Sequence, residues 1–474
     1  MLRTLFALII PLFLLAGCAT QPPEPLQTPP LMTETNLSVT VIRPLPSAWW
    51  TAFCDPELNR LVEQARRENR DLRQAAARLE AAQARAKLAG AESALQVSGS
   101  AGAGRQRSSG NSGIPVSKNP QNQFSAGLQF AYEVDLWGRL RATREAARKN
   151  VEFTAAERAA AEITLLAEVA KHHLSRLATH REAAVLEQEI SELAETETLQ
   201  AARTEAGFAS ELEVQRVRAE KAAREGELSQ LRERGQALAN ALTLLCGQPP
   251  EAEATNPAPR EAITPEVPAA LSLALLEARP DVAAKRAQWE TSFQRVQAAR
   301  ADHYPTLRLS GTIGYAATRS QDLLDWQSRL WSLVSGLTAP LLDGGRIKSA
   351  LALERANLKE AAAAYEAAVL TAYREVADAL NTLHAVAQQK KAAERVRDAS
   401  QRALALSRER YDKGFVTYLE VIESDRSLLS AKRTLIQVQV RQQTATIDLI
   451  RALGIPECDF TSLPRTEKSG VRIQ

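Results

Sequence analysis

Few residues in this sequence could do chemistry, and their spacing builds no reaction centre. The chain has five histidines and four cysteines among 474 residues. His173 and His180 are seven residues apart, about 10 Å along a helix, which is too far for both to bind one metal ion. The pair Gly344-Gly345 lacks the Lys-Ser/Thr sequel of a phosphate-binding loop. No nucleophile–base pair or metal-ligand cluster can be assembled, so we expect no enzyme, no metal site and no bound cofactor.

Cys18 has a sequence context that indicates a covalent modification. The apolar run from Leu5 to Ala16 is typical of a signal peptide and too short to cross a hydrocarbon core of about 30 Å. It ends in Leu15-Ala16-Gly17-Cys18, which resembles a bacterial lipobox, where the cysteine carries an N-acyl diglyceride. We therefore predict a signal peptide at 1–17 and, from lipidated Cys18, an extended tether over 18–46 rich in Pro, Thr and Glu.

Composition excludes several further classes of protein. Lys plus Arg total 59 against 56 Asp plus Glu, and this small excess gives no argument for nucleic-acid binding. Aromatic residues are only 5% and alanine dominates long stretches, which favours thin, closely spaced helices over a thick globular core. Cys54, Cys246 and Cys458 would leave at least one thiol unpaired within the chain, and the sequence does not show which.

An internal repeat organises the sequence from residue 47 onward. The segment Gly207 to Val214 matches Gly414 to Val421 at a constant offset, which also relates Gly138-Arg139 to Gly345-Arg346. We therefore predict two copies of one unit, at 47–256 and 257–460, followed by a C-terminal tail at 461–474.

Within each copy the hydrophobic period changes in the same order. Alternating residues predict strands at about 94–104, 123–136, 306–317 and 328–342. Helical periods predict helices at about 55–93, 138–206, 210–246, 270–302, 345–412 and 416–453. Steps of four and three residues, as in Val369, Tyr373 and Val376, indicate coiled-coil packing. Gly207 and Gly414 fall where each helical hairpin reverses, a position that suits a residue tolerant of positive φ.

Four amphipathic strands cannot form a membrane structure alone. Each is long enough to cross a bilayer at a tilt, but an open sheet would leave edge N–H and C=O groups unpaired at several kcal/mol each. Three copies would give twelve strands and an interior wider than side chains can fill. The helices would continue the wall as a tube of about 100 Å. The sequence therefore predicts an oligomeric, membrane-anchored conduit.

Several motifs resemble one known family over nearly the whole mature chain. They are Pro46-Ser47-Ala48-Trp49-Trp50, Asp55-Pro56-Glu57-Leu58, Tyr132-Glu133-Val134-Asp135-Leu136-Trp137-Gly138-Arg139, Arg279-Pro280-Asp281-Val282, Tyr304-Pro305, Leu341-Leu342-Asp343-Gly344-Gly345-Arg346 and the segment from Gly414 to Gly454. Together they resemble the TolC-type outer-membrane efflux factors, in particular the lipoprotein branch of OprM-, CusC- and NodT-like proteins.

The resemblance implies a mainly α fold with a transmembrane β part. In that family a homotrimer shares a 12-stranded β-barrel, four strands per chain, above a long α-helical periplasmic barrel with an equatorial mixed domain. Family members stand in the outer membrane, in contact with its lipid, and export drugs, toxic organic compounds or metal ions. Their partners are a periplasmic adaptor (a membrane fusion protein) and an inner-membrane pump, often of the RND type. Ala19, where some lipoproteins have Asp, favours outer-membrane sorting.

The resemblance also implies a gate at the periplasmic end. Glu420 and Glu423 match acidic residues that ring the aperture; three residues apart, they share a helix face, and like charges crowded there would attract cations. Tyr411 matches a tyrosine of the closed-state latch, and Glu213 matches the acidic residue that it contacts. Val416 replaces an arginine expected in that latch. We hypothesise that Arg216 pairs with an acidic aperture residue instead.

Two alternatives remain open from the sequence. The first is the exit duct of a type I protein secretion system, which would share the fold. The second, from another class, is a non-conducting lipoprotein tether that spans the periplasm. Amphipathic strand pairs would have no purpose in a tether, and channel activity in a planar bilayer would separate the two classes.

Overall fold

A computed structural model describes residues 48–107, 120–208, 210–250, 263–265 and 277–454. The predicted signal peptide, Cys18, the tether, Cys458 and the C-terminal tail lie outside these ranges. A short 3₁₀ turn at Trp49–Phe53 precedes the regular elements. The first repeat contributes α1 (Pro56–Glu68), α2 (Arg70–Glu92), β1 (Gln96–Gln106), β2 (Gln121–Val134), α3 (Arg139–Glu205) and α4 (Glu211–Leu245). The second contributes α5 (Pro280–Ala301), β3 (Thr306–Ala317), β4 (Arg329–Thr338), α6 (Arg346–Asp412) and α7 (Tyr418–Leu453).

The described chain divides into two compact units that do not coincide with the two repeats. The first unit takes its described residues from Ala81–Phe153 and Lys285–Glu366. The second takes them from Asn36–Glu80, Thr154–Ala284 and Ala367–Gln474. Each unit therefore draws on both repeats, and the two copies are interleaved instead of folding as separate bodies.

The first unit contains one four-stranded antiparallel sheet in the order β1-β2-β3-β4. In its register Leu128 pairs with Gly99 and Ile313, and Ile313 with Trp331. Since side chains alternate between faces, this register collects most of the large apolar residues on one face, while Leu330 and Val334 lie on the other. The residues of the apolar face are Val97, Phe124, Leu128, Phe130, Tyr132, Leu307, Leu309, Ile313, Tyr315, Trp331, Leu333 and Leu337.

The opposite face of the sheet is mostly polar. It carries Ser98, Ser100, Ser125, Gln129, Glu133, Arg308, Ser310, Thr312 and Ser332. Within the described residues, β1 and β4 each pair on one side only. The sheet is thus amphipathic and has two open edges.

The strand bounds differ from the predictions at three places. β1 and β2 pair two residues further toward their connecting loop than predicted, reaching Gln106 and Gln121. The predicted end of the last strand at residue 342 is wrong, because β4 stops at Thr338. Pro340 follows, and it has no N–H to continue the ladder.

Strand–helix junctions explain two of the sequence motifs. Trp137 stacks on Tyr304 with ring centroids 4.7 Å apart, and its indole Nε1–H donates to the Pro305 carbonyl at 2.8 Å. The Asp343 carboxylate accepts from the backbone N–H groups of Gly345 and Ile347 at 3.0 and 2.8 Å, which caps the start of α6. These residues therefore position strands against helices.

The core of the second unit forms where the 3₁₀ turn packs against α1, α3, α4 and α7. Its buried members include Trp49, Trp50, Phe53, Leu58, Val62, Val169, Leu174, Leu242 and Ile447. Asp55 caps α1 through the Leu58 N–H and also contacts His173 Nε2 at 2.8 Å, with both side chains buried. His173 is therefore a packed core residue. Cys54 and Cys246 are both free thiols.

Two predicted helices differ from the observed ones at their N-terminal parts. The single helix over 55–93 is wrong, because the chain breaks at Asn69. Asn69 ends α1 in an extended conformation, and its carboxamide accepts from the Leu72 N–H at 2.9 Å to start α2. Of the helix predicted at 270–302, residues 270–276 lie outside the described ranges. Glu277 is helical, the chain turns at Ala278 and Arg279, and α5 begins at Pro280, since the residue before a proline disfavours helical geometry. That residue, Arg279, binds Asp281, Glu375 and the Ala452 carbonyl.

The long helices bury residues at strict heptad spacing. In α6 the buried series is Tyr365, Ala372, Ala379, Val386, Ala393, Ser400 and Ser407. In α3 it includes Thr179, Leu186, Leu193 and Gln200. This is coiled-coil packing. No helix in the described ranges carries an apolar stretch that would span a bilayer.

Candidate functional site at the helical hairpins

The α3–α4 and α6–α7 hairpins turn through the same backbone motif. Gly207 and Gly414 adopt φ of 78° and 76°, as predicted. The following N–H groups of Phe208 and Phe415 donate to the carbonyls of Arg203 and Arg410 at 2.8 and 2.9 Å. This is a Schellman ending, and the positive φ is one that residues with a Cβ rarely adopt.

Tyr411 lies just before the second turn and binds the first hairpin. Its hydroxyl accepts from Gln200 Nε2 at 2.9 Å and Arg203 Nη1 at 3.0 Å. Its ring meets Tyr418 edge-on at 5.2 Å. The Glu213 side chain has no bonding partner among the described residues, so its predicted contact with Tyr411 is not formed within this chain. Tyr411 therefore joins α6 to α3.

The two predicted aperture carboxylates lie in the first turns of α7. Glu420 pairs with Arg410 of α6 at 3.2 Å, and both side chains are about half exposed. Glu423 is exposed and forms no ion pair with the described residues. Arg216 of α4 is half-buried and likewise has no side-chain partner in that part of the chain, so its pairing with an aperture carboxylate stays a prediction.

A ladder of ion pairs joins α7 to α4, and the sequence analysis did not predict it. Glu220 is buried and accepts from Arg426 Nε at 2.8 Å and from Arg224. One heptad later, Arg433 binds Glu227. The sequence contains a signal for this ladder, because Glu220 and Glu227 are seven residues apart and so are Arg426 and Arg433. Glu220 is buried, but the Arg426 side chain is 56% exposed and those of Arg433 and Glu227 are partly exposed. Solvent therefore screens both pairs, and each is a modest link between the hairpins.

The heptad core becomes polar toward the hairpin turns. Ser400 and Ser407 of α6 meet Ser427 and Ser424 of α7 at 3.3 and 2.7 Å. On α3, Glu189 faces Asp425 of α7, and burial together with this second carboxyl raises the pKa of Glu189 to about 8. Polar contacts lose less than apolar ones when they separate into water, so these serine and carboxyl contacts hold the helices less firmly than apolar contacts would.

The arrangement can hold one hairpin against the other or release it. Tyr411, the Glu220–Arg426 pair and the Glu189–Asp425 pair all cross from α6 or α7 to α3 or α4. None of these groups has a base–nucleophile geometry, and the described residues contain no group of three or more His, Cys, Asp or Glu that could hold a metal ion.

Comparison with known proteins gives matches along almost the whole chain. The family model described as outer membrane efflux protein matches residues 61–248 and 271–455. The pyoverdine export outer membrane protein OpmQ of Pseudomonas putida is 32% identical over 454 residues, covering 94% of this chain and 96% of its own. Outer membrane protein OprJ of Pseudomonas aeruginosa is 33% identical over 413 residues, covering 86% and 85%. The solved structure of the outer membrane protein VceC from Vibrio cholerae superimposes with a TM-score of 0.79 at 28% identity, covering 86% of this chain and 98% of that one.

Proposed function

This chain belongs to the outer membrane efflux protein family, and we propose that three copies of it form the gated outer-membrane duct of a tripartite efflux system. The duct conducts passively, and energy comes from an inner-membrane pump, of the RND type, through a periplasmic adaptor. Cargo passes from the pump and the periplasm to the exterior. The protein is an outer-membrane channel component and not an enzyme.

The observation that carries this proposal is the amphipathic sheet with two open edges. Its apolar face, with residues such as Leu128 and Leu333, suits lipid, and its polar face, with Gln129 and Thr312, suits a water-filled lumen. Because unpaired backbone groups are costly in hydrocarbon, β4 of one copy must pair with β1 of the next. Three copies close a barrel wide enough for an aqueous path.

The gate is proposed at the helical hairpins. Tyr411 and Arg426 hold the second hairpin to the first, and their release would let α6 and α7 move outward. Glu420 and Glu423 would then line the opening of each copy and favour cations at the entrance. The proposed cargo is small molecules, namely drugs, toxic organic compounds or metal ions. Among the relatives, OpmQ is named for the export of one small molecule, pyoverdine.

Lipidation at Cys18 is part of the proposal. The lipobox would add an N-acyl diglyceride that anchors the chain before the barrel closes. Metabolic labelling with palmitate should mark the wild-type chain and leave the Cys18→Ser variant unlabelled. Equal labelling of both chains would remove this part of the proposal.

The duct is tested by conductance in planar bilayers. Purified wild-type protein should conduct weakly, and the double variant Tyr411→Phe/Arg426→Ala should conduct several-fold more, because two links between the hairpins are lost. Arg232→Ala is the matched control: its exposed pair with Glu187 lies within the first hairpin, so conductance should not change. A wild type and a double variant that are both inert would overturn the duct and favour the periplasmic tether.

The efflux duct and the type I secretion duct differ in their cargo, which is small molecules for the first and a polypeptide for the second. A strain lacking the gene should become more sensitive to small toxic compounds, and the wild-type gene should restore resistance. Loss of a secreted polypeptide with unchanged sensitivity would favour the secretion duct instead.

A further inference from the structure

An aromatic and basic cluster lies at the β3–β4 connection, apart from the hairpin residues described above. We call Trp326, Arg329 and Trp331 the loop cluster. Trp326 lies in a 3₁₀ turn and is 74% exposed; Trp331, in β4, is 79% exposed. The guanidinium carbon of Arg329 lies 2.9 Å from the centroid of the Trp326 ring. Arg329 and Trp331 are two residues apart on one strand and so share the apolar face.

Arg329 keeps its hydrogen-bond donors available. It forms no ion pair or side-chain hydrogen bond with any described residue, although Asp322 and Asp325 lie in the same connection. The cation–π contact holds the guanidinium against the indole, and its fork of N–H groups stays free to donate. Such a fork matches the oxygens of a phosphate group in a bidentate way.

The topology places the loop cluster at the end of the strands remote from the helices. β3 follows α5 and β4 leads into α6, so the connection between the two strands lies at the far end. Arg105, on the apolar face of β1, lies toward the same end, where it pairs with Asn122. With the helices in the periplasm, which rests on the proposed function, this end meets the outer leaflet.

We propose that the loop cluster binds the phosphorylated headgroup of an outer-leaflet glycolipid. Tryptophan side chains place their apolar body in the acyl region and their polar edge at headgroup level. Arg329, held on Trp326, then contacts the phosphate from the lipid-facing side. The occupant is specified by charge complementarity: an unpaired cation flanked by exposed aromatic surface at the rim of the apolar face.

The test measures lipid binding to the full-length, detergent-purified protein by native mass spectrometry. The probes are phosphorylated lipid A and the same lipid after removal of its phosphates. Wild type should prefer the phosphorylated form, and Arg329→Gln and Trp326→Ala should each weaken that binding roughly tenfold, the worth of a charge-assisted pair. Arg308→Gln is the control, because Arg308 is an exposed arginine on the opposite face of the same sheet.

Equal binding of the two lipids by the wild type would overturn the proposal. An equal loss in Arg308→Gln and Arg329→Gln would also overturn it, because binding would then follow net charge and not the loop cluster. Conductance of the same preparations separates this inference from the proposed function. If the wild type conducts but binds both lipids equally, only the lipid-binding inference is contradicted. If the wild type does not conduct, the proposed duct is contradicted.

Discussion

Glu189 and Asp425 place two carboxyl groups together inside the bundle of the second unit. Glu189 is 8% exposed, and Glu192 adds a third acidic group on the same helix, while Arg224 of α4 offsets part of this charge. Arg408 of α6 approaches Asp425 at 3.6 Å. When Glu189 and Asp425 share one proton, they form a hydrogen bond. When that proton is lost, two negative charges are left in contact. Contact between α3 and α7 therefore depends on protonation.

We predict that the protein loses stability as pH rises toward 8. The pKa of Glu189 is raised from 4.5 to about 8 by burial and by Asp425, so the folded state holds this proton more tightly than the unfolded state. Its stabilising effect is complete below about 4.5 and declines up to about 8, by at most about 1.4 kcal/mol per pH unit per chain. Glu189→Gln should flatten this decline in thermal unfolding, and exposed Glu192→Gln should not. A Glu189→Gln variant with the wild-type pH slope would contradict the assignment.

At the residue scale the sequence predicted local positions, and the roles of these residues in an aperture stay predictions. Glu420 and Glu423 lie where the hairpin glycine predicts them, because their positions depend only on local helix geometry. The Arg426–Glu220 link escaped prediction, since it depends on which faces of α4 and α7 meet, and heptad spacing allows more than one register. For the same reason the contacts of Tyr411 with Gln200 and Arg203 were not predicted, and its contact with Glu213 stays a prediction.

The elements were more predictable than their contacts. Long helices and the alternating strands came within a few residues of their observed bounds, because periodicity extends over many residues. Breaks set by single residues were missed: Asn69 acts as a cap in the middle of an apparently continuous helix, and Pro340 ends the last strand early. Asn69 also donates to the Leu245 carbonyl at 2.9 Å, a tertiary contact that no local pattern reveals.

The hairpin turns give a prediction for the helices. Gly414→Ala should destabilise the fold by about 1 kcal/mol, because a Cβ is disfavoured at φ of 76° even where there is open space around it. Gly226→Ala, in the interior of α4 where a Cβ meets nothing within 4 Å, should instead stabilise the fold. Denaturant unfolding midpoints measure both changes. Shifts of the same sign would show that backbone conformation does not govern the turn.

The sheet gives a prediction for the whole assembly. Leu333 lies in the middle of β4 on the apolar face, and Ser332 lies beside it on the polar face. Leu333→Arg should cost about 2–4 kcal/mol per chain in the bilayer and reduce the amount of oligomer measured on semi-native gels. Ser332→Arg should leave that oligomer intact. If both variants assembled equally well, the assignment of lipid and lumen faces would be wrong.

The open edges of β1 and β4 also constrain biogenesis. A newly exported polypeptide has no low-energy way to insert its own hairpins, so insertion and subunit association must be one cooperative event. Before other copies associate, a chain would expose both strand edges, and such edges favour misassociation. The amount of protein assembled in the membrane should therefore depend steeply on its synthesis rate. A co-expressed variant whose β1 or β4 edge cannot pair should inhibit assembly of the wild-type chains.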